Sequence, residues 1–163
     1  MFSRTETKNE MAKQSPLAPK GFPEIPPIPG VLLAAASCGL RYTGRKDLFL
    51  ASLDKGTQVA GVFTTSKTAA APVHWCSRSA QAGRARALIV NAGNANAFTG
   101  LEGEKSVRRT VDKVATVLGC PKSQVFVAST GVIGETLPDD RIRKSLAGLK
   151  KTLRPDDWTG AAA

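Results

Sequence analysis

Two short stretches of the sequence gather hydroxyls, amides and glycines while keeping charge away. One is "IVNAGNANAFTG", residues 89–100; the other is "VFVASTGVIGE", residues 125–135, charged only at its last position. Each opens as an apolar strand and runs into a glycine-flanked loop. A junction of this kind suits a developing oxyanion, which needs preorganised hydrogen-bond donors and no bulky side chain in the way. In "STG" the hydroxyl of Thr130 and the N–H of Gly131 could point at one oxygen, and glycine lets a ligand approach its amide closely. The same residues would also serve a plain turn shaped by Gly131 and Gly134, with Thr130 bonding its own backbone. On residue types alone the turn reading ranks ahead.

Other catalytic constellations are thin. There is no Gly-x-Ser-x-Gly elbow, and the single histidine, His74, would have to serve any Ser–His or Cys–His arrangement. Between Val73 and Trp75 it reads as a packed or surface side chain. "GNANAFTG" lacks the lysine of a phosphate-binding P-loop and the spacing of a dinucleotide fingerprint. The pair Asp139–Asp140 sits where helix capping accounts for it. Cys38, Cys76 and Cys120 are odd in number and far apart, so neither a zinc site nor a disulfide framework fits; reduced thiols in a cytoplasmic protein are expected.

These junctions need a scaffold, and the pattern supplies one. Residues 1–30 hold most of the ten prolines and read as an irregular arm. A globular part, residues 31–163, follows. "VLLAAASCGLRY" reads as a strand, and "LFLASL" with "QVAGVF" as a β-hairpin about "DKGT". Pro72 suits the first turn of a short helix, and "RALIVN" is a strand of the kind buried on both faces. A helix over about 102–118 buries Val107, Val111, Val114 and Leu118, with Gly119 as its cap. A strand over 125–129 comes next. A second helix over about 139–153 buries Ile142, Leu146, Leu149 and Leu153, and Pro155 ends it. "DDWTGAAA" starts another. Strands first, then helices and strands in alternation, predict a layered α/β or α+β domain.

At 163 residues with 42% hydrophobic content, the chain is long enough to bury a core without staples. No apolar run approaches membrane-spanning length, and the first residues do not read as a secretory signal. The net charge of +10 raises nucleic acid as a partner. The basic residues are dispersed, however, and only 6% of positions are aromatic, so no stacking platform is formed. The cluster Arg141, Arg143, Lys144, Lys150 and Lys151 reads first as a solvated helix face. Neither nucleic acid nor membrane is expected as a partner.

Three long motifs carry a resemblance. "AGVFTTSKTAAAPV", "ALIVNAGNANAFTG" and "VFVASTGVIGE", in this order and after "PGVLLAAASCGLRYTGRKDLFL", resemble the ornithine acetyltransferase family, also called glutamate N-acetyltransferase, of arginine biosynthesis. The resemblance implies a layered α-β-β-α sandwich, an α/β fold shared with self-processing aminopeptidases of the DmpA type, of which this chain would be the N-terminal, α-chain part. It implies a precursor that cuts itself before a threonine, which becomes the nucleophile of the β chain and passes an acetyl group from N-acetylornithine to glutamate. The implied assembly is an α2β2 heterotetramer in the cytoplasm. No cofactor or metal is implied, though some members take acetyl-CoA as donor. The family's oxyanion donors correspond to Thr130 and Gly131, which reverses the order of the two readings of "STG".

One departure shapes the expectation for this chain. Its methionines stand only at positions 1 and 11, so a "MAT"-like cleavage junction is absent. The nucleophile is therefore expected on the β chain, with the chain inactive alone and poorly soluble. Two alternatives stand beside this reading: a related self-processing amidohydrolase or aminopeptidase, and a non-catalytic basic module that binds nucleic acid.

Overall fold

The computed structural model describes residues 16, 17, 21 and 23–162. Most of the expected proline-rich arm lies outside the described residues; 23–28 carry no helix or strand. Four strands form one sheet: β1 (Val31–Ala36), β2 (Leu48–Leu53), β3 (Ala87–Asn94) and β4 (Val125–Val132), in that spatial order. β1–β2 and β2–β3 are antiparallel, whereas β3 and β4 are parallel. A parallel pair needs a crossover, and helix α2 (Gly100–Leu118) supplies it. Helices α1 (Ala71–Ala80), α3 (Asp139–Lys151) and α4 (Trp158–Ala162) complete the described chain.

The α/β class expected from the sequence is borne out, but the hairpin between "LFLASL" and "QVAGVF" is not. β2 is flanked on both sides: Leu50 faces Ala34 of β1 and Ile89 of β3. A strand has only two edges, and the apolar runs of β1 and β3 take both. Gln58 is left with an isolated bridge to Arg84, and Val62 is fully exposed. β1 also ends earlier than "VLLAAASCGLRY" predicts. After Ala36 the N–H groups of Cys38 and Leu40 turn onto the Asp47 carboxylate, at 2.6 and 2.7 Å.

Alternation along the strands sorts the sheet into two unlike faces. Leu48, Leu50, Ala87, Ile89, Val125 and Val127 point to the side where Val107, Val111, Val114 of α2 and Ile142, Leu146, Leu149 of α3 complete the core. Each Val, Leu or Ile side chain removed from water in this way contributes about 1.5–3 kcal/mol. On the opposite face Phe49, Leu88, Val90 and Phe126 are only half-buried, and Ala128 and Thr130 are exposed. The helix spacing expected for α2 and α3 is borne out, and so are two punctuation marks. Pro72 lies in the first turn of α1, and Gly119 takes the left-handed cap of α2 at φ 68°.

Each edge of the sheet is covered over part of its length. Beside β1, Leu33 and Arg154 exchange backbone hydrogen bonds of 2.8 and 3.0 Å. Beside β4, side chains of α1 do the same work. Trp75 Nε1 donates to the carbonyl of Val125 at 2.9 Å, while the Cys76 thiol donates to the carbonyl of Val127 and accepts from its N–H.

The start of α3 corrects a smaller expectation. Asp139 makes no cap bond. It is buried, and its carboxylate receives Arg109 Nη2 and Arg143 Nε, each at 2.7 Å, while Asp140 pairs with Lys144 at 3.2 Å. Burial pushes the Asp139 carboxyl up, but the hydrogen bonds from Arg109 and Arg143 outweigh it and hold it below the ordinary carboxylate value.

Candidate active site

The "STG" segment is strand, not turn. β4 continues through Thr130 and Gly131 to Val132, with Thr130 opposite Ala92 and Gly131 opposite Gly93. The expected turn begins only beyond Val132, where Gly134 has φ 83°. The strand persists because two glycines face each other. A Cβ on Gly131 would lie 2.3 Å from the carbonyl carbon of Gly93 and 2.5 Å from the nitrogen of Asn94. Its φ of 131° adds a conformation that side-chain-bearing residues seldom adopt. Glycine at 131 thus lets the two backbones approach, a role that residue types alone do not distinguish from ligand access.

Thr130 is exposed, and its hydroxyl has no partner among the described residues; the bond to its own backbone is not made. The direction of the Gly131 amide follows from the ladder. The carbonyls of Gln124 and Val132 accept from Arg86 and Ala95, on the β3 side. Val125 and Val127 turn their backbone groups outward to Trp75 and Cys76. Carried along the strand, this alternation points the N–H groups of Ser129 and Gly131 to the outer edge, beyond the last bond from α1. The edge borders a cleft of about 320 Å3 lined by Phe63, Pro72, Val73, Phe126, Ala128 and Ser129. A hydroxyl on the open face and an amide on the adjoining edge, with no charged side chain lining the cleft, can receive a negative oxygen.

The second uncharged stretch has a different use. Asn91, Asn94 and Asn96 are buried and bonded inward. Asn91 accepts from the Ser129 hydroxyl at 2.6 Å and donates to the carbonyl of Asn94 at 2.8 Å. Asn94 donates to the carbonyl of Glu135 and accepts from the N–H of Asn96. Asn96, at φ 48°, donates to the Gly103 carbonyl and to Ser106 and accepts from Thr99. These side chains join β3, the loop after it, the first turns of α2 and the loop after β4. In the sequence the stretch reads as one of two candidate oxyanion junctions; the alternation of Ala87, Ile89 and Asn91 marks Asn91 as inward, whereas Asn94 and Asn96 fall out of that phase and carry no such signal.

A hood closes the other side. The loop between β1 and β2 lays Arg41 and Tyr42 over Gly93, whose missing Cβ would meet Arg41 Cβ at 3.0 Å. Arg41 pairs with Glu135 at 2.9 Å, an exposed contact that adds little stability. The buried Asp47 carboxylate, 2% exposed, anchors this loop through the two N–H bonds already described.

His74 is a half-exposed surface side chain 3.9 Å from Glu104. All three cysteines are free. Burial and the Asp47 carboxylate push the Cys38 thiol up to about 12, and burial raises Cys76 and Cys120, so none is poised as a thiolate. No group of metal-ligating side chains occurs among the described residues, and none of their helices is long and apolar enough to cross a membrane.

A mixed sheet with helices packed on one face places the chain among α/β proteins. Comparison with known proteins makes this particular: the ArgJ family model matches residues 32–163, and the chain belongs to that family. It is 52% identical over 148 residues to the arginine biosynthesis bifunctional protein ArgJ of Bradyrhizobium diazoefficiens, and 51% identical to that of Mesorhizobium japonicum. Each alignment covers 91% of this chain but 36% of the relative, so the chain spans about a third of their length. Among solved structures, ornithine acetyltransferase of Mycobacterium tuberculosis, complexed with ornithine, superposes with a TM-score of 0.78 at 33% identity, covering 83% of this chain and 74% of that one. ArgJ of Bacillus halodurans gives 0.73 at 32% identity, covering 82% and 68%.

Proposed function

We propose that this chain is the α-chain portion of an ornithine acetyltransferase and contributes its oxyanion hole, Thr130 Oγ1 and Gly131 N–H. The observation that carries this reading is the end of β4, where the Thr130 hydroxyl has no partner among the described residues and the ladder turns the Gly131 N–H to the open edge. In the reaction, a threonine hydroxyl of the β chain attacks the acetyl carbonyl of N-acetylornithine. The carbonyl oxygen takes the negative charge at Thr130 and Gly131, and the C–N bond then breaks, ornithine leaving with the proton from the nucleophile. The amine of glutamate attacks the resulting acetyl ester through a second oxyanion at the same place, giving N-acetylglutamate and the free hydroxyl. Each donor supports both steps, and losing one costs about 3 kcal/mol of transition-state stabilisation.

The nucleophile, its base and the substrate carboxylate contacts belong, in this reading, to the β chain, which joins the α chain in an α2β2 assembly in the cytoplasm. The half-buried apolar face of the sheet is a seat suited to that partner. Acetyl-CoA would enter as an alternative donor at the same oxyanion site. A water-accepting amidohydrolase would share the hole, and dependence of product formation on glutamate separates the two. The nucleic-acid reading draws no support from α3: Arg143 and Lys144 are paired with acidic groups, and Arg141 and Lys150 donate to backbone carbonyls.

The test is to produce the full-length protein, sequence the N-termini it yields and assay acetyl transfer from N-acetylornithine to glutamate. A second chain starting with threonine, and transfer that requires it, is expected; this chain produced alone should show none. Transfer by this chain alone would overturn the division of labour.

A further inference from the structure

Beneath the end of β4 lies a cavity of about 10 Å3, walled by Ile89, Asn91, Val107, Thr110, Ser129 and Ile142. Thr110, in the middle of α2, is 4% exposed, and its hydroxyl has no hydrogen-bond partner. A threonine within a helix can satisfy its hydroxyl on the carbonyl four residues earlier; this one does not. A buried hydroxyl left unpaired is costly, so its presence among Val107, Val111 and Val114 on the buried face of α2 calls for a partner. The volume is that of one water molecule at the lower limit of what water occupies.

The other polar groups lining the cavity have capacity to spare. The Ser129 hydroxyl donates to Asn91 Oδ1 at 2.6 Å and keeps lone pairs for an incoming donor. Asn91 Nδ2 gives one proton to the Asn94 carbonyl at 2.8 Å and retains the second. With Thr110, that makes three partners, the number typical of a buried water. We propose that this cavity binds a single ordered water, which links Thr110 of α2 to the Asn91–Ser129 pair and so ties the crossover helix to the strand segment carrying Thr130 and Gly131. The site stands whether or not acetyl transfer is the activity, because the observations that carry it are those of the buried side chains alone.

The test uses the full-length protein and its Thr110→Val and Thr110→Ser variants. A crystal structure fine enough to show ordered water is expected to place one within hydrogen-bond reach of Thr110 Oγ1 and of Asn91 or Ser129. Valine keeps the shape of threonine and removes the hydroxyl, so T110V should melt several degrees lower and exchange the Ser129–Gly131 amides faster, while T110S matches the parent in both. Absence of the water overturns the proposal. So does a T110V melting point at or above the parent's, the result of deleting a hydroxyl that bonds nothing, or a loss shared equally by T110S, which would report packing of the methyl group instead.

Discussion

β3 and β4 run side by side, and both end in uncharged stretches of small residues, yet the two ends are put to opposite uses. At its end, β3 and the loop after it turn their asparagines into the protein, where Asn91, Asn94 and Asn96 bond to strand, loop and helix. At the matching level of β4, Thr130 and Gly131 leave their donors toward solvent. One end is a frame and the other is held by it. The same chemistry of amide and hydroxyl does both, and what separates the two roles is whether each polar group already has a partner.

Substitution of Gly131 should break the contrast most severely. Gly131→Ala forces a Cβ into the Gly93 backbone at a φ unsuited to alanine. We expect a loss of more than about 3 kcal/mol, read as failure to accumulate soluble protein or as a large drop in denaturant midpoint. Thr130 sharpens the contrast from the other side. In the full-length protein Thr130→Val should lower acetyl-transfer turnover about 10²–10³-fold and leave the melting temperature near that of the parent, since the side chain is exposed. Equal losses of activity and stability would return Thr130 to the frame.

Within the frame, Asn96→Ala removes three hydrogen bonds at a fully buried position. Only its side-chain bonds to Gly103, Ser106 and Thr99 are lost, because the bond from its own N–H to Asn94 remains. The partners left behind should cost about 2–3 kcal/mol in equilibrium unfolding. The smallest effect concerns the far end of the loop after β4, where Asp139 sits between Arg109 and Arg143. Its folded-state carboxyl lies below the ordinary value of 3.8, so its contribution is complete above that pH and is lost as the pH falls through the lowered value. Melting curves between about pH 6 and pH 2 should therefore decline below about pH 4, and decline less steeply in Asp139→Asn.

Much of the frame could be read from the sequence because it rests on periodicity. The spacing of Val107, Val111 and Val114 marks α2, and the apolar run of 87–90 marks β3. Gly119 and Pro72 mark ends because one tolerates the left-handed cap and the other lacks an amide. The partner of β2 could not be read the same way. Pairing is a long-range choice between apolar runs of similar length, and "QVAGVF" has the local pattern of a strand without a free edge to join. The extent of β4 was hidden for a related reason: Gly131 signals a turn by type, and only the approach of Gly93 turns it into strand. The candidate donors were named from the motif, while the asparagine frame was not, because a buried, satisfied asparagine and a ligand-facing one are written with the same letter.

The bonds from Trp75 and Cys76 to β4 have a further consequence, for the behaviour of the chain under stress. A row of unpaired backbone groups along an edge strand is a template for pairing with another molecule. α1 masks the first half of that row with two side chains, not with a neighbouring strand. Such a mask can lift without the sheet melting. Fraying of α1 would bare "VFVA" as an adhesive segment while the core under α2 and α3 stayed intact, so association would set in below the temperature of global unfolding and deposit material with cross-β order.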